Sequence, residues 1–416
     1  MIEGQDAPGR RARLRYGMVG GGRGAFIGDV QRKAIAMDGR AAPVAGCFSQ
    51  TYENTIATGE AFGIDPSRLY RSYREMIEAE ARRDDRIQFL VVVTPNDSHY
   101  DIARRALEAG FHVVCDKPLA TSSLQAEELA RLAASRRLLF CVSYAYSAYP
   151  LVKHARALVA AGELGTIRFV SAEYPQEWLA TPLEKTGQKQ AAWRTDPARA
   201  GISNCVGDIG SHIEHMVAYT TGLRIESLLA RLDRFGEGRV LDDNASIMVN
   251  YEGGAKGLFW CSQIAVGHDN GLRVRVYGTK GSFEFVQETP NVLKVSYLDR
   301  PAMTLSRGRD PMAARAQALS RIPSGHPEGY FECFANIYAT YLTALAKTLA
   351  GEPLTSDDLD FPNAEDGVRG VRFIEKCVES SEKGAVWVKF LNSGDTCRIQ
   401  ENSEHVPVRR RKWRDP

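Results

Sequence analysis

Over residues 13–145, short apolar runs alternate with helix-patterned stretches, and no other feature restricts the fold of this chain so tightly. The runs fall at 14–19, 43–48, 87–94, 111–115 and 138–143. The third carries Val91, Val92 and Val93 in succession rather than in alternation. A strand that is apolar on both sides is buried on both faces, and strands joined through helices run parallel. The pattern predicts a doubly wound parallel sheet, an α/β domain over 13–145, with ligands at the carboxyl edge of its strands. Helices are expected over 98–109, closed by Gly110, and over 123–135, opened by a Ser/Thr cluster.

The pattern changes after residue 150. Residues 151–161 read as a helix stopped by Gly162. Strands follow at 167–174, 245–251, 257–263, 272–277, 282–286 and 292–297. Leu272, Val274 and Val276 share one side, and Arg273 and Arg275 the other. Such alternation marks a mostly antiparallel sheet whose second face is wet or covered by a partner. Glu252–Gly253–Gly254 makes a hairpin turn. Helices at 328–350 and 363–381 follow, the second returning to the first domain. Residues 146–390 therefore read as a second, α+β domain, and 416 residues suit two domains. Residues 1–12 and 391–416 read as tails, the first flexible, the second polar and ending in a basic run.

Lys plus Arg number 53 and Asp plus Glu 51, a net charge of +2. That balance argues against a dedicated nucleic-acid binder, which needs a dense basic surface. No apolar run has the length of a membrane span. The eight cysteines form no C-x-x-C pair and no Cys/His ligand spacing, so no metal site is expected. They read as the reduced thiols of a cytoplasmic protein.

The first strand runs into Gly20–Gly21–Gly22–Arg23–Gly24–Ala25, which opens a helix. Gly20, Gly22 and Ala25 form a G-x-G-x-x-A turn. Its first glycine permits the bend, its second lets backbone approach a pyrophosphate, and its small third residue lets helix pack on strand. Arg23, Gly24, Ala25 and Phe26 are expected beside the cofactor. The second strand ends at Phe48–Ser49, where an acid would hold a ribose of NAD. Here Ser49 and Gln50 stand instead. Ser49 suits either cofactor, and NAD is favoured over NADP because no cation follows.

Asp116–Lys117–Pro118 ends the fourth run. The proline restricts Lys117 to an extended backbone and permits a cis bond. Lys117 is a candidate to bind a substrate oxygen, the alternative being a solvated surface lysine. Asp208 and His212 are spaced i, i+4, which sets both on one face of a helix. An imidazole beside a carboxylate suits proton abstraction from an alcohol, and an N-cap Asp with a structural His is the alternative. His215 and Glu214 lie nearby at poorer spacing. Tyr144, Tyr146 and Tyr149 are candidates to stack on a sugar ring, with Trp178, Trp193 and Arg194 completing a pocket. Domain-interface packing is the alternative for each aromatic. His326, before Pro327 at an expected helix start, is a substrate or loop residue.

The glycine turn, Thr94–Pro95–Asn96–Asp97–Ser98–His99, Asp116–Lys117–Pro118 and Asp208–Ile209–Gly210–Ser211–His212 together resemble the Gfo/Idh/MocA oxidoreductases, over roughly residues 13–390. Two departures are Asp116, where the family usually has Glu, and residues 201–207, which are less glycine-rich. The resemblance implies a Rossmann domain and a second domain with a large open sheet. It also implies NAD(P)-dependent oxidation of a secondary hydroxyl on a sugar or cyclitol. It carries Lys117, Asp208 and His212 over as the catalytic set. Thr94, Pro95, Asn96, His99, Asp116 and Lys117 become cofactor contacts. A homodimer or homotetramer is implied by the sheet. Residues 173–179, 193–197 and 325–330 are similar to the levoglucosan dehydrogenase and glucoside 3-dehydrogenase branch. Two other functions share this fold: a non-catalytic dinucleotide- or sugar-binding regulator, and a reductase of a small carbonyl or imine.

Overall fold

The apolar runs of the first half become five parallel strands: β1 (Leu14–Gly20), β2 (Ala41–Cys47), β3 (Phe89–Val93), β4 (His112–Cys115) and β5 (Phe140–Val142), in spatial order β2-β1-β3-β4-β5. The computed structural model describes residues 13–391. Residues 1–12 and 392–416, the expected tails apart from residue 391, lie outside the described residues. All five residues of β3 are buried, as its unbroken apolar sequence requires between two helical layers. β1 pairs with both β2 and β3, so strand order reverses beside it. That switch point opens a crevice at the carboxyl ends of β1 and β3.

The covering helices begin and end on local chemistry. Ser122 accepts a hydrogen bond from the Gln125 N–H at the start of Ser123–Ser135. Asn96–Glu108 ends before Gly110, which adopts φ +79°.

The second half builds a nine-stranded sheet in the order β13-β12-β11-β10-β6-β9-β8-β7-β14. Its strands are β6 (Ile167–Pro175), β7 (Ile225–Asp233), β8 (Asn244–Tyr251), β9 (Lys256–Ser262), β10 (Arg273–Gly278), β11 (Gly281–Val286), β12 (Val292–Tyr297), β13 (Met303–Ser306) and β14 (Val388–Lys389). Its pairs are antiparallel except β6 with β9. Val274 and Val276 are buried, while Arg275 lies on the other face between Glu173 and Glu284, at 2.9 Å from each. The Pro150–Ala160, Ser211–Thr221 and Tyr330–Leu349 helices pack their apolar faces into the same core as the sheet.

The Ala364–Glu382 helix ties the two halves together. Asn363 caps it in a reciprocal box with Asp366. Arg372 pairs with Glu127 at 2.6 Å, and Glu375 accepts the Ser123 N–H at 2.7 Å, both on the first half. Its other end reaches the large sheet, where Ser380 Oγ accepts the Ala230 N–H at 2.8 Å. One expectation fails here. Pro327 does not start a helix; the next helix begins at Tyr330, where Glu332 accepts the Gly329 N–H at 2.8 Å.

Candidate active site

A cavity of about 710 Å³ lies at the switch point, between the carboxyl edge of the parallel sheet and the segment 189–208 of the second half. One wall is the glycine turn. Gly20 has φ +85°, and a Cβ there would lie 2.7 Å from the Val93 carbonyl oxygen. Only glycine fits. The Gly22 N–H donates to Phe48 O at 2.9 Å, and the Arg23 N–H reaches Asn54 Oδ1 at 3.1 Å and Thr58 Oγ1 at 3.2 Å. Behind the turn, buried Arg32 donates to Gly21 O at 2.5 Å. The closest helix-to-turn approach is at Gly28, whose added Cβ would sit 2.3 Å from Gly21 Cα. Ala25, expected in that packing role, is instead the N-cap of the Phe26–Ala36 helix.

Gly20, Gly22, Arg23, Gly24, Ala25, Ser49, Thr94, Pro95, Asn96, Asp116 and Lys117 all line this cavity. Two expected cofactor contacts do not. Phe26 is 63% exposed and stacks on Tyr330, with ring centroids 6.2 Å apart. His99 is buried, and its ring nitrogens lie 2.8 Å from Pro118 O and 2.8 Å from Thr94 O. It braces the two loops that form the cavity floor.

The far wall carries the ionisable groups. The Lys117–Pro118 bond is cis. The Lys117 N–H donates to Asp116 Oδ1 at 2.9 Å, and the same oxygen takes the Ser143 hydroxyl at 2.5 Å. Asp116 thus holds the backbone of Lys117 and leaves its ammonium free to cross the cavity. Lys117 Nζ lies 2.7 Å from Asp208 Oδ1 and 2.6 Å from the Asp208 carbonyl oxygen. Asp208 Oδ2 takes Gln263 Nε2 at 3.0 Å and stands 3.2 Å from Arg194 Nε. Burial alone would raise the Asp208 pKa, but Arg194 and Lys117 outweigh it and hold the carboxyl far below its usual range.

Asp208 and His212 were expected on one α-helix. The backbone instead makes a π-helical turn, Val206–Gly210, before the α-helix begins at Ser211. Such turns recur at functional sites. Buried Asp242 shapes the approach to it, accepting from Ser203 Oγ at 3.0 Å, Asn204 N–H at 2.9 Å and Val206 N–H at 3.0 Å. His212 is 8% exposed and does not line the cavity; it packs behind the far wall. Its ring centroid is 4.8 Å from that of Tyr146, and its Nδ1 has no partner. Burial, and then the nearby Lys117 charge, hold the His212 pKa well below its ordinary value, against the opposing pull of Asp208. The imidazole is therefore neutral near pH 7.

The aromatic expectations divide. Trp193 and Arg194 line the cavity, and the Arg194 guanidinium lies 4.3 Å from the Trp193 ring and 5.8 Å from the Trp178 ring. Trp178 does not line the cavity; it backs Arg194. Tyr144 and Tyr149 are sealed in the core, the first stacked on His215 at 4.5 Å, the second accepting from Gln287 at 3.3 Å. Neither presents a face to a ligand in this arrangement. Tyr146 joins the Tyr174 hydroxyl at 2.6 Å and flanks His212. His326 is exposed, away from the cavity, with Nδ1 at 3.3 Å from Pro323 O. Sequence reasoning missed Gln263 and Asn204, which donates to Gln263 Oε1 at 2.7 Å. Gln263 stands in no motif, and Asn204 lies in the 201–207 run, whose glycine content alone gives no sign of its role. It also missed Arg71, which reaches the cavity from a distant segment.

A glycine turn at the switch point of a parallel sheet, facing a lysine–aspartate pair from a second, sheet-bearing half, defines a two-domain dinucleotide-dependent oxidoreductase. Residues 14–144 match the oxidoreductase family with an NAD-binding Rossmann fold, and residues 152–284 match the GFO/IDH/MocA C-terminal domain. An uncharacterized oxidoreductase of Bacillus subtilis, YfiI, is 36% identical over 91% of this chain and 97% of its own. An inositol dehydrogenase homolog from Azotobacter vinelandii, solved with NADH and myo-inositol, is 38% identical, with a TM-score of 0.85 over 91% of this chain and 97% of its own. Levoglucosan dehydrogenase, solved with NADH and levoglucosan, is 25% identical, with a TM-score of 0.77 over 91% of this chain and 99% of its own. The chain belongs to the GFO/IDH/MocA oxidoreductase family and is an NAD-binding oxidoreductase.

Proposed function

We propose that this protein oxidises a secondary ring hydroxyl of a cyclitol, sugar, anhydrosugar or glycoside to a ketone. NAD, when bound, supplies the hydride acceptor. The cavity residues fit it: the glycine turn leaves room for a pyrophosphate, and backbone N–H groups at a helix start suit its charge.

The observation that carries the reading is the Lys117–Asp208 pair inside the cavity that the glycine turn lines. Lys117 donates to the substrate oxygen and stabilises the negative charge that grows on it as the C–H bond breaks. Asp208 aims the ammonium, and Gln263 and Arg194 hold the Asp208 carboxylate in place. His212, neutral at working pH but set behind the cavity wall in the ligand-free arrangement, takes the hydroxyl proton once bound substrate opens a path to it. Trp193, with Arg194 over its face, offers the ring surface and donors that a polyhydroxylated ring needs. The relatives solved with myo-inositol and with levoglucosan support a cyclic polyol rather than an open-chain substrate.

The same reading includes a homodimer or homotetramer. Met248 and Leu258 are cross-strand partners on the large sheet and are 49% and 47% exposed, an apolar pair on the face turned from the core.

The test is a screen of myo-inositol, levoglucosan, methyl glucosides and free hexoses, read by the near-ultraviolet absorbance of reduced nicotinamide. Turnover with at least one cyclic polyol is expected. Tight NAD binding without turnover of any of them would favour a binding regulator.

A further inference from the structure

The end of β2 is where a dinucleotide's adenosine ribose lies, and an acid there selects NAD by holding the ribose hydroxyls and repelling a 2′-phosphate. This chain has Ser49, Gln50 and Thr51 at that end. No cation follows in sequence, but the fold delivers one from elsewhere. Gly46 on β2 forms a parallel bridge with Leu69, and the Tyr70 N–H donates to Gly46 O at 2.9 Å. Carried two residues on, that register sets Arg71 level with Phe48, next to Ser49. Arg71 and Ser49 both line the cavity.

The Arg71 side chain is set for a ligand rather than for a protein partner. Its guanidinium lies 4.0 Å from the centre of the Tyr52 ring, and among the described residues no protein acceptor hydrogen-bonds it. Its backbone N–H goes to Glu75 Oε2 at 3.2 Å. Among the described residues no carboxylate pairs with its guanidinium. Ser49 Oγ accepts the Thr51 N–H at 3.1 Å and so keeps its hydroxyl proton to donate outward. Arg23, exposed on the glycine turn, lines the same cavity. No Asp or Glu lines the stretch formed by residues 47–54 and 71–73.

We propose that Arg71, with Ser49, forms a site for a phosphate monoester on the 2′-oxygen of the adenosine ribose, so that this protein takes NADP as well as NAD. The proposal rests on the cavity's dinucleotide role and adds the specificity of its adenosine end. A phosphate monoester carries nearly two negative charges at neutral pH, and a planar guanidinium edge binds it through paired hydrogen bonds. The free 2′-hydroxyl of NAD gains far less from that cation.

Dissociation constants for NAD and NADP, from quenching of tryptophan fluorescence on the full-length protein, test it. The wild type is expected to bind NADP within about tenfold of NAD. Arg71→Ala is expected to raise the ratio of the NADP to the NAD constant by about tenfold or more, and Arg71→Lys, which keeps charge but not the fork, by an intermediate amount. A wild-type ratio above about a hundred, or one that Arg71→Ala leaves within about threefold, overturns the proposal while the NAD site stands. Failure of the wild type to bind NAD at all would overturn the dinucleotide role itself, and this proposal with it.

Discussion

Lys117→Met removes the ammonium that the proposed chemistry needs while keeping most of the side-chain volume. Nζ makes two short contacts with Asp208, at 2.6 and 2.7 Å, and the paired side chains are 14% and 15% exposed, so solvent screens them little. The carboxylate is not orphaned by the change, because Gln263 at 3.0 Å and Arg194 at 3.2 Å remain. The stability loss should match one charge-assisted hydrogen bond, about 1.5–3 kcal/mol, and stay below the roughly 3–5 kcal/mol of a stranded buried charge. The rate is expected to fall further. Loss of a donor to a developing oxyanion costs about 10²–10³ in kcat, or roughly 3–4 kcal/mol. Steady-state turnover on whichever polyol the screen identifies, with urea unfolding and NAD titration on the same samples, separates the effects. The expected result is a large fall in kcat, a modest fall in unfolding midpoint, and an NAD constant changed less than about threefold. A folded variant that keeps its rate within about threefold would refute the role given to Lys117. A loss of NAD binding as large as the loss of rate would make Lys117 a cofactor anchor instead.

Three further outcomes follow from the geometry. Because burial and the Lys117 charge hold the His212 pKa well below 6.5, a proton acceptor at that position stays neutral as the pH falls through 6.5; the acid limb of kcat/KM should therefore lie below 6.5, and a limb centred at or above it would argue against His212 as the base. Ser49→Asp puts a carboxylate beside Arg71 at the β2 end and should lower NADP affinity relative to NAD by about tenfold; a shift in the opposite direction would contradict the placement of Ser49 at the ribose. If the proposed homo-oligomer forms through this face, Met248→Lys together with Leu258→Lys, which sets like charges across from each other on it, should convert it to monomers in light scattering; an unchanged oligomeric mass would place the interface elsewhere, and a monomeric wild type would refute the oligomer.

Much of the fold was legible because burial leaves plain marks. β3 reads as Phe-Leu-Val-Val-Val since both its faces are covered, and β10 alternates since only one of its faces is. β7 is absent from the sequence expectations for an equally physical reason. Its apolar residues Ile225, Leu228, Leu229 and Leu232 stand at helical spacing, and pairing with β8 and β14 overrides it. At the site, residues carried by contiguous motifs could be named from sequence, and the glycine turn and Lys117 do reach one cavity. Side chains whose surroundings come from remote segments could not be read. Tyr144 and Tyr149 look like ligand platforms beside β5, yet the Ser211–Thr221 helix and the large sheet close over them. The π-helical turn under Asp208 depends on Asp242, far along the chain, and Arg71 reaches the β2 end through a bridge that no local pattern announces.

The account depends on Lys117 and His212 addressing one substrate oxygen beside the nicotinamide. A crystal structure with NAD and a turned-over polyol, or with a slow analogue of it, tests this directly. The expected result is a ring hydroxyl hydrogen-bonded to both Lys117 Nζ and the His212 imidazole, with its carbon facing the bound nicotinamide. A polyol bound away from the Lys117–Asp208 pair, or a His212 ring still closed off behind Tyr146, would contradict it.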